Sequence, residues 1–169
     1  MLGKLIWHRR CDTTHNLFVV SPMSKTLLID GGGGFPGQEQ ARGSDPGVEA
    51  VSPYLWSRRF KKIDVVALTD AHQDHPGGLS AILENFHIGR LWVGREVNNN
   101  PALARLEVLA RERNIPTEYE TRGRHFSIDE VQGEVLWLKI SAANAAVAAR
   151  NSDSLVLRLK YRQNTTAPW

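Results

Sequence analysis

An α/β layered domain is the fold class this sequence predicts. Three observations predict it. Short β-prone apolar runs alternate with helical patterns along the chain. One run, Val65 to Leu68, breaks into a knot of polar, ligand-type side chains followed by a Gly pair, as where a buried strand hands over to a loop and a helix. The length, 169 residues, suffices for one domain with a real core and is too short for two comfortable ones. An apolar fraction of 41% and a charged fraction of 23% are those of a globular chain, not a disordered one. No internal repeat or low-complexity linker interrupts it, so residues 1–169 are read as one domain.

The elements follow in order. Leu2 to Trp7 is strand-like, but the stretch from His8 to His15 has no periodicity, and both histidines read as solvated terminal residues. Leu17 to Val20 and Thr26 to Ile29 are apolar and β-prone around Ser-Pro-Met-Ser-Lys, which predicts a hairpin. Gly32, Gly34 and Gly37 match half of a dinucleotide fingerprint, but Pro36 and the polar stretch behind it offer no helix to hold a phosphate. The plain reading is a turn leaving a strand, then a surface loop over Gln38 to Gly47. Val48, Val51, Leu55 and Phe60 recur at helical spacing, with Pro53 marking a kink or late start. Arg58, Arg59, Lys61 and Lys62 form a basic cluster behind it, either a solvated helix end or a weak nucleic-acid contact.

A strand is predicted over 64–69 and a helix over 78–86, where Leu79, Ile82, Leu83 and Phe86 share a face. A strand over 90–94 follows. Pro101 then opens a helix to 113, with Leu103, Leu106, Leu109 and Ala110 on one side. Ile115 to Glu120 reads as a short strand and the stretch around His125 as a loop. Val135 to Ile140 is strand-like, the Ala-rich Ser141 to Arg150 fits a short helix or an ordered loop, and 154–160 alternates with Leu155, Leu157 and Leu159 together. Arg162 to Trp169 loses every pattern.

Charge and cysteine count exclude several classes. A net charge of +3 is compatible with nucleic acid without indicating it. One cysteine, Cys11, rules out an internal disulfide framework and a Cys-rich zinc site. No apolar stretch approaches the ~18 residues of a membrane span and no signal-peptide core is visible, so the chain reads as soluble with its compartment open.

The chemistry concentrates after Leu68. Asp70, His72, Asp74 and His75 fall at i, i+2, i+4 and i+5, a spacing at which one bent loop converges four donors on a point. Imidazole and carboxylate are ligands that zinc, manganese and iron accept. The Gly pair Gly77–Gly78 lets backbone pack close behind the loop without a Cβ in the way. Taken singly, Asp74 could equally cap the following helix.

These residues carry a resemblance. Asp70-Ala71-His72-Gln73-Asp74-His75 is similar to the H-x-H-x-D-H loop of the metallo-β-lactamase superfamily. TLLIDGGGG (26–34), SPYLWSRRFKKIDVVALTD (52–70) and NSDSLVLRLKY (151–161) narrow this to the metallo-β-lactamase-like domain of ComEC-type DNA-uptake proteins. The resemblance runs from about Leu27 to Tyr161, leaving 1–16 and 162–169 poorly matched. It implies the first half, and the start of the second, of an αββα sandwich that binds one or two divalent metals, zinc or manganese, at the edge between two sheets. By position, Asp70 and His72 would serve a first metal, Asp74 and His75 a second, and Asp74 would also orient the attacking water. The implied reaction is nuclease-like hydrolysis of DNA phosphodiesters, in a domain attached to a membrane channel protein.

Departures from the family pattern set the remaining expectations. Asp70 stands where the motif has its first His, Asn151 stands near a third His, and the later Gly-Asp and His-His-Gly-Ser blocks are absent. The loop alone therefore falls short of the ligands that two metals need. Three readings stay open: part of a longer metal-dependent hydrolase, a catalytically silent remnant, or a binding module that keeps the fold. The isolated chain is expected to be inactive, and the sheet edge near Leu155 to Tyr161 to invite self-association.

Overall fold

A computed structural model describes residues 6–9, 16–32, 47–69, 78–94, 101–137, 155–161 and 164–165. Strands β1 (Ile6–Arg9), β2 (Leu17–Val20) and β3 (Thr26–Ile29) open the chain. A single π-turn, Gly47–Val51, runs into α1 (Ser52–Ser57). Next come β4 (Lys62–Ile63), β5 (Val65–Leu68), α2 (Leu79–Asn85), β6 (His87–Ile88), β7 (Leu91–Gly94) and α3 (Pro101–Glu112). The last strands are β8 (Thr117–Glu120), β9 (His125–Ile128), β10 (Val131–Trp137), β11 (Val156–Tyr161) and β12 (Asn164–Thr165).

Two sheets carry the fold. The first has the order β1-β2-β3-β5-β7-β8, antiparallel over β1 to β3 and parallel from β3 to β8. The second has the order β12-β11-β10-β9 and is antiparallel throughout. The first sheet is apolar on both faces because both are covered. Phe18, Leu28, Val66, Leu68, Leu91 and Val93 pack with Leu55, Leu79, Ile82 and Leu106 of the helices. Residues alternating with these, Leu17, Val19, Leu27, Ile29, Val65, Ala67 and Trp92, meet Val131, Val135, Leu155, Leu157 and Leu159 of the second sheet. The result is a helix–sheet–sheet stack with one apolar layer in each gap, as the alternating elements predict.

The hairpin, both long helices and the clean alternation of Leu155, Leu157 and Leu159 lie where the sequence places them. Four local readings are corrected. His125 is in β9, opposite Glu134, not in a loop. Phe126 and Ile128 alternate inward there, and the Asp129–Glu130 turn closes the hairpin, with Asp129 at φ 59°. β10 begins at Val131, earlier than Val135, because the tight turn starts pairing at once. Helical structure from Gly47 ends at Ser57, short of Phe60. Beyond Arg162, Asn164 and Thr165 pair with Tyr161 and Lys160, so the predicted sheet edge is partly covered. The Ala-rich stretch 141–150 and the loop over 38–46 lie outside the described residues.

The end of α1 is a Schellman motif. The Phe60 N–H donates to the Leu55 carbonyl at 3.0 Å and the Arg59 N–H to the Trp56 carbonyl at 2.8 Å. This places Arg59 at φ 63°, where glycine is favoured. The end of α3 uses the same device with Asn114 at φ 55°, a residue that tolerates the left-handed region better. Arginine at this position costs about 1 kcal/mol relative to glycine.

Asp64 fastens the entry to β5. Its carboxylate accepts from the Thr26 N–H at 3.0 Å and pairs with Lys25 and Lys62 at 3.2 and 3.1 Å. Burial opposes ionisation, but the Thr26 N–H and the two lysines outweigh it and hold the carboxyl below its usual range. A folded pKa below the unfolded value means the contribution is present above pH ~4 and is lost as pH falls through the folded value. Asp64→Asn is therefore expected to cost up to about 1 kcal/mol at pH 7, since both lysines are half-exposed. Urea unfolding should show this gap closing as the pH is lowered toward 2.5; a gap that widens would reverse the assignment.

Candidate metal-loop scaffold

Asp70, His72, Asp74 and His75 lie outside the described residues. What is described is the frame that holds both ends of the segment 70–77. In the chain this segment follows β5 and precedes α2.

The frame is built on Asp30, Gly31 and Gly32. Asp30 extends the β3–β5 ladder through its N–H to the Ala67 carbonyl at 2.8 Å, then turns away at φ 59°. Its buried carboxylate accepts the Thr69 N–H at 2.8 Å and the Thr69 hydroxyl at 2.6 Å. Two oxygens thus grip the last residue before the segment, through backbone and side chain at once. At the far end the Gly78 N–H donates to the Gly32 carbonyl at 3.0 Å. The Thr69 carbonyl accepts from the Leu155 N–H at 2.6 Å, which joins the same root to the second sheet.

Behind this frame three glycines meet backbone to backbone. A Cβ on Gly78 would stand 2.3 Å from the Gly31 oxygen and 2.6 Å from the Gly47 nitrogen; one on Gly47 would stand 2.1 Å from the Gly78 oxygen. The expectation that glycine lets backbone close up behind the loop is met at Gly78. Its partners, Gly31 and Gly47, come from two other parts of the chain.

A second polar cluster lies at the same, carboxyl end of the parallel strands, where Glu120 pairs with Gly94. Arg124 bridges Glu118, at 2.8 Å, and the fully buried Glu120. Glu118 also accepts from the Trp92 indole at 3.1 Å. Burial pushes the Glu120 carboxyl up against the pull of Arg124, whereas the Arg124 hydrogen bond, despite burial, holds Glu118 down. The cluster clamps β8 to the turn before β9.

The basic residues are elsewhere. Arg58, Arg59, Lys61 and Lys62 are all exposed and precede β5, while Thr69 follows it. From Asp64 to Thr69 an extended chain rises about 16 Å, so the cluster sits at the opposite end of the strand from the loop root.

By donor chemistry the residues 70–75 fit a divalent cation, since two imidazoles and two carboxylates suit zinc or manganese. Among the described residues no group of three or more His, Cys, Asp or Glu is placed to hold a metal, so Glu118, Glu120 and Asp30 do not form a separate site. Asp30 is the residue that reading the sequence missed as a functional support. Its signal was present as an aspartate between a strand and a glycine run, but its partner lies 39 positions away.

A helix-covered sheet stacked on a second sheet, with a His/Asp segment rooted at the carboxyl end of a central strand, defines a class. Residues 12–139 match the model of the metallo-beta-lactamase superfamily, and the chain belongs to that superfamily. Within it, the chain is 29% identical over 148 residues to ComE operon protein 3 of Bacillus subtilis, covering 84% of this chain and 19% of that protein. The chain thus spans about a fifth of the relative it matches.

Solved structures agree at the level of fold. A metallo-beta-lactamase from Staphylococcus aureus superposes with a TM-score of 0.60 at 13% identity, covering 100% of this chain and 44% of that one. CmlA, a diiron beta-hydroxylase from Streptomyces venezuelae, gives 0.58 at 14% identity, with coverage of 98% and 29%. Among the described residues no helix is long and apolar enough to cross a membrane.

Proposed function

We propose that this chain is a ComEC-like hydrolase-type domain in which Asp70, His72, Asp74 and His75 hold a divalent metal, zinc or manganese, and which engages DNA. The observation that carries the reading is the His/Asp segment emerging from a root gripped by Asp30 and Gly32. The resemblance to ComEC-type proteins supports DNA phosphodiesters as the substrate class. Bound there, a divalent cation would supply Lewis acidity and bring the pKa of a water toward ~7. Within the chain, Asp30 and Thr69 fix where the segment starts, Gly78 fixes where it ends, and Asp74 is assigned to orient the attacking water.

Ligand counting limits the chemistry. Two metals need more groups than the four donors on one loop. We therefore expect calorimetry to show weak zinc binding at one site, lost in His72→Ala. The 169-residue chain with added zinc or manganese should cleave single-stranded DNA no faster than buffer. Metal-dependent cleavage that His72→Ala abolishes would overturn the incomplete-site reading and make this chain an enzyme by itself.

A further inference from the structure

The end of α1 carries features that the metal loop does not use. Trp56 is 50% exposed, with its ring stacked on Phe86 at 5.8 Å and 27°. One ring face is held by protein, and half of the residue remains open to solvent. Arg58 lies over the Tyr54 ring at 5.7 Å, and Arg59 and Lys61 are exposed beside it. Lys61 accepts the His87 N–H through its carbonyl, and His87 is exposed next to Phe86. Trp56, the basic residues and His87 therefore lie on adjoining segments, all of them exposed. Lys62 is paired with Asp64, whereas among the described residues Arg58, Arg59 and Lys61 have no carboxylate partner.

Arg59 supplies an independent observation. The Schellman position it fills, at φ 63°, is one that glycine fills with less strain. A strained residue kept at a surface turn directs attention to what its side chain does. Here Arg59 is exposed at the same helix end as Arg58, Lys61 and the half-open Trp56 indole. Exposed aromatics with adjacent cations are how proteins take single strands: bases stack on the ring and phosphates meet the charges. A duplex hides its base faces and would leave Trp56 unused.

We propose that Trp56, Arg58, Arg59 and Lys61 form a single-stranded nucleic-acid binding patch, separate from the metal loop and at the other end of β5. The inference takes its polyanion class from the proposed function, but it requires neither metal nor catalysis.

Its test is fluorescence anisotropy of a labelled oligo-dT with the whole chain in EDTA. Binding should weaken steeply with salt and persist in EDTA, where the loop can hold no metal, which separates failure of the patch from failure of the loop. Trp56→Ala should weaken binding about tenfold, with Trp56→Phe retaining most of it. Lys61→Glu should lower the salt slope by about one or more. Arg59→Gly is the sharpest variant, because it should raise Tm and yet weaken binding severalfold, so that loss of binding is not loss of fold. Unaltered oligonucleotide affinity in Arg59→Gly and Trp56→Ala would overturn the proposal. So would absence of oligonucleotide binding in a chain that instead co-sediments with phosphatidylserine vesicles, which would make the surface a membrane contact.

Discussion

Replacing Asp30 by alanine is expected to lower stability by about 4 kcal/mol and to abolish measurable zinc binding. The carboxylate is buried and accepts two hydrogen bonds from Thr69. Hydrogen bonds to a charged group are worth roughly 1.5 kcal/mol or more each, and both of these are lost at a buried N–H and hydroxyl. Alanine at φ 59° adds roughly 1 kcal/mol of backbone strain. Asparagine separates the two effects. It tolerates the left-handed conformation but has one acceptor oxygen where two are used, so Asp30→Asn should cost about 1.5 kcal/mol. Urea unfolding measures both, and zinc calorimetry on the asparagine variant reports the loop with the fold largely intact. An alanine variant within about 1 kcal/mol of the parent would remove Asp30 from its role as anchor.

Gly78→Ala should be as damaging, for a steric reason. The added methyl would meet the Gly31 oxygen at 2.3 Å, the Gly47 nitrogen at 2.6 Å and the Gly47 Cα at 2.9 Å. All three are backbone atoms, so no side chain can rotate aside. Relief requires the start of α2 to move away from the β3 turn, which would break the Gly78–Gly32 hydrogen bond as well. A loss of at least about 3 kcal/mol is expected, at the upper end for overpacking. The check is the urea midpoint together with the yield of folded protein. Near-parental stability would mean that the three backbones do not meet as described.

The sequence by itself determined the layer class, because strand and helix periods are local: Leu155, Leu157 and Leu159 alternate whatever lies opposite them, and Leu103, Leu106 and Ala110 share a helix face. It also determined the family, through six residues from Asp70 to His75 and flanking blocks of which two, 26–34 and 52–70, fall within the residues that match the superfamily model. It misread His125, because a strand of mixed polarity shows itself only when a partner such as Glu134 is known.

Tertiary structure decided what the loop rests on. Asp30 and Thr69 are far apart in the chain and meet because β3 and β5 are parallel neighbours. Gly31, Gly47 and Gly78 read as unrelated turn residues until the fold presses them together. Local periodicity is written residue by residue. Buried polar anchors and close backbone contacts are pairings across the chain, and only the packed fold makes them.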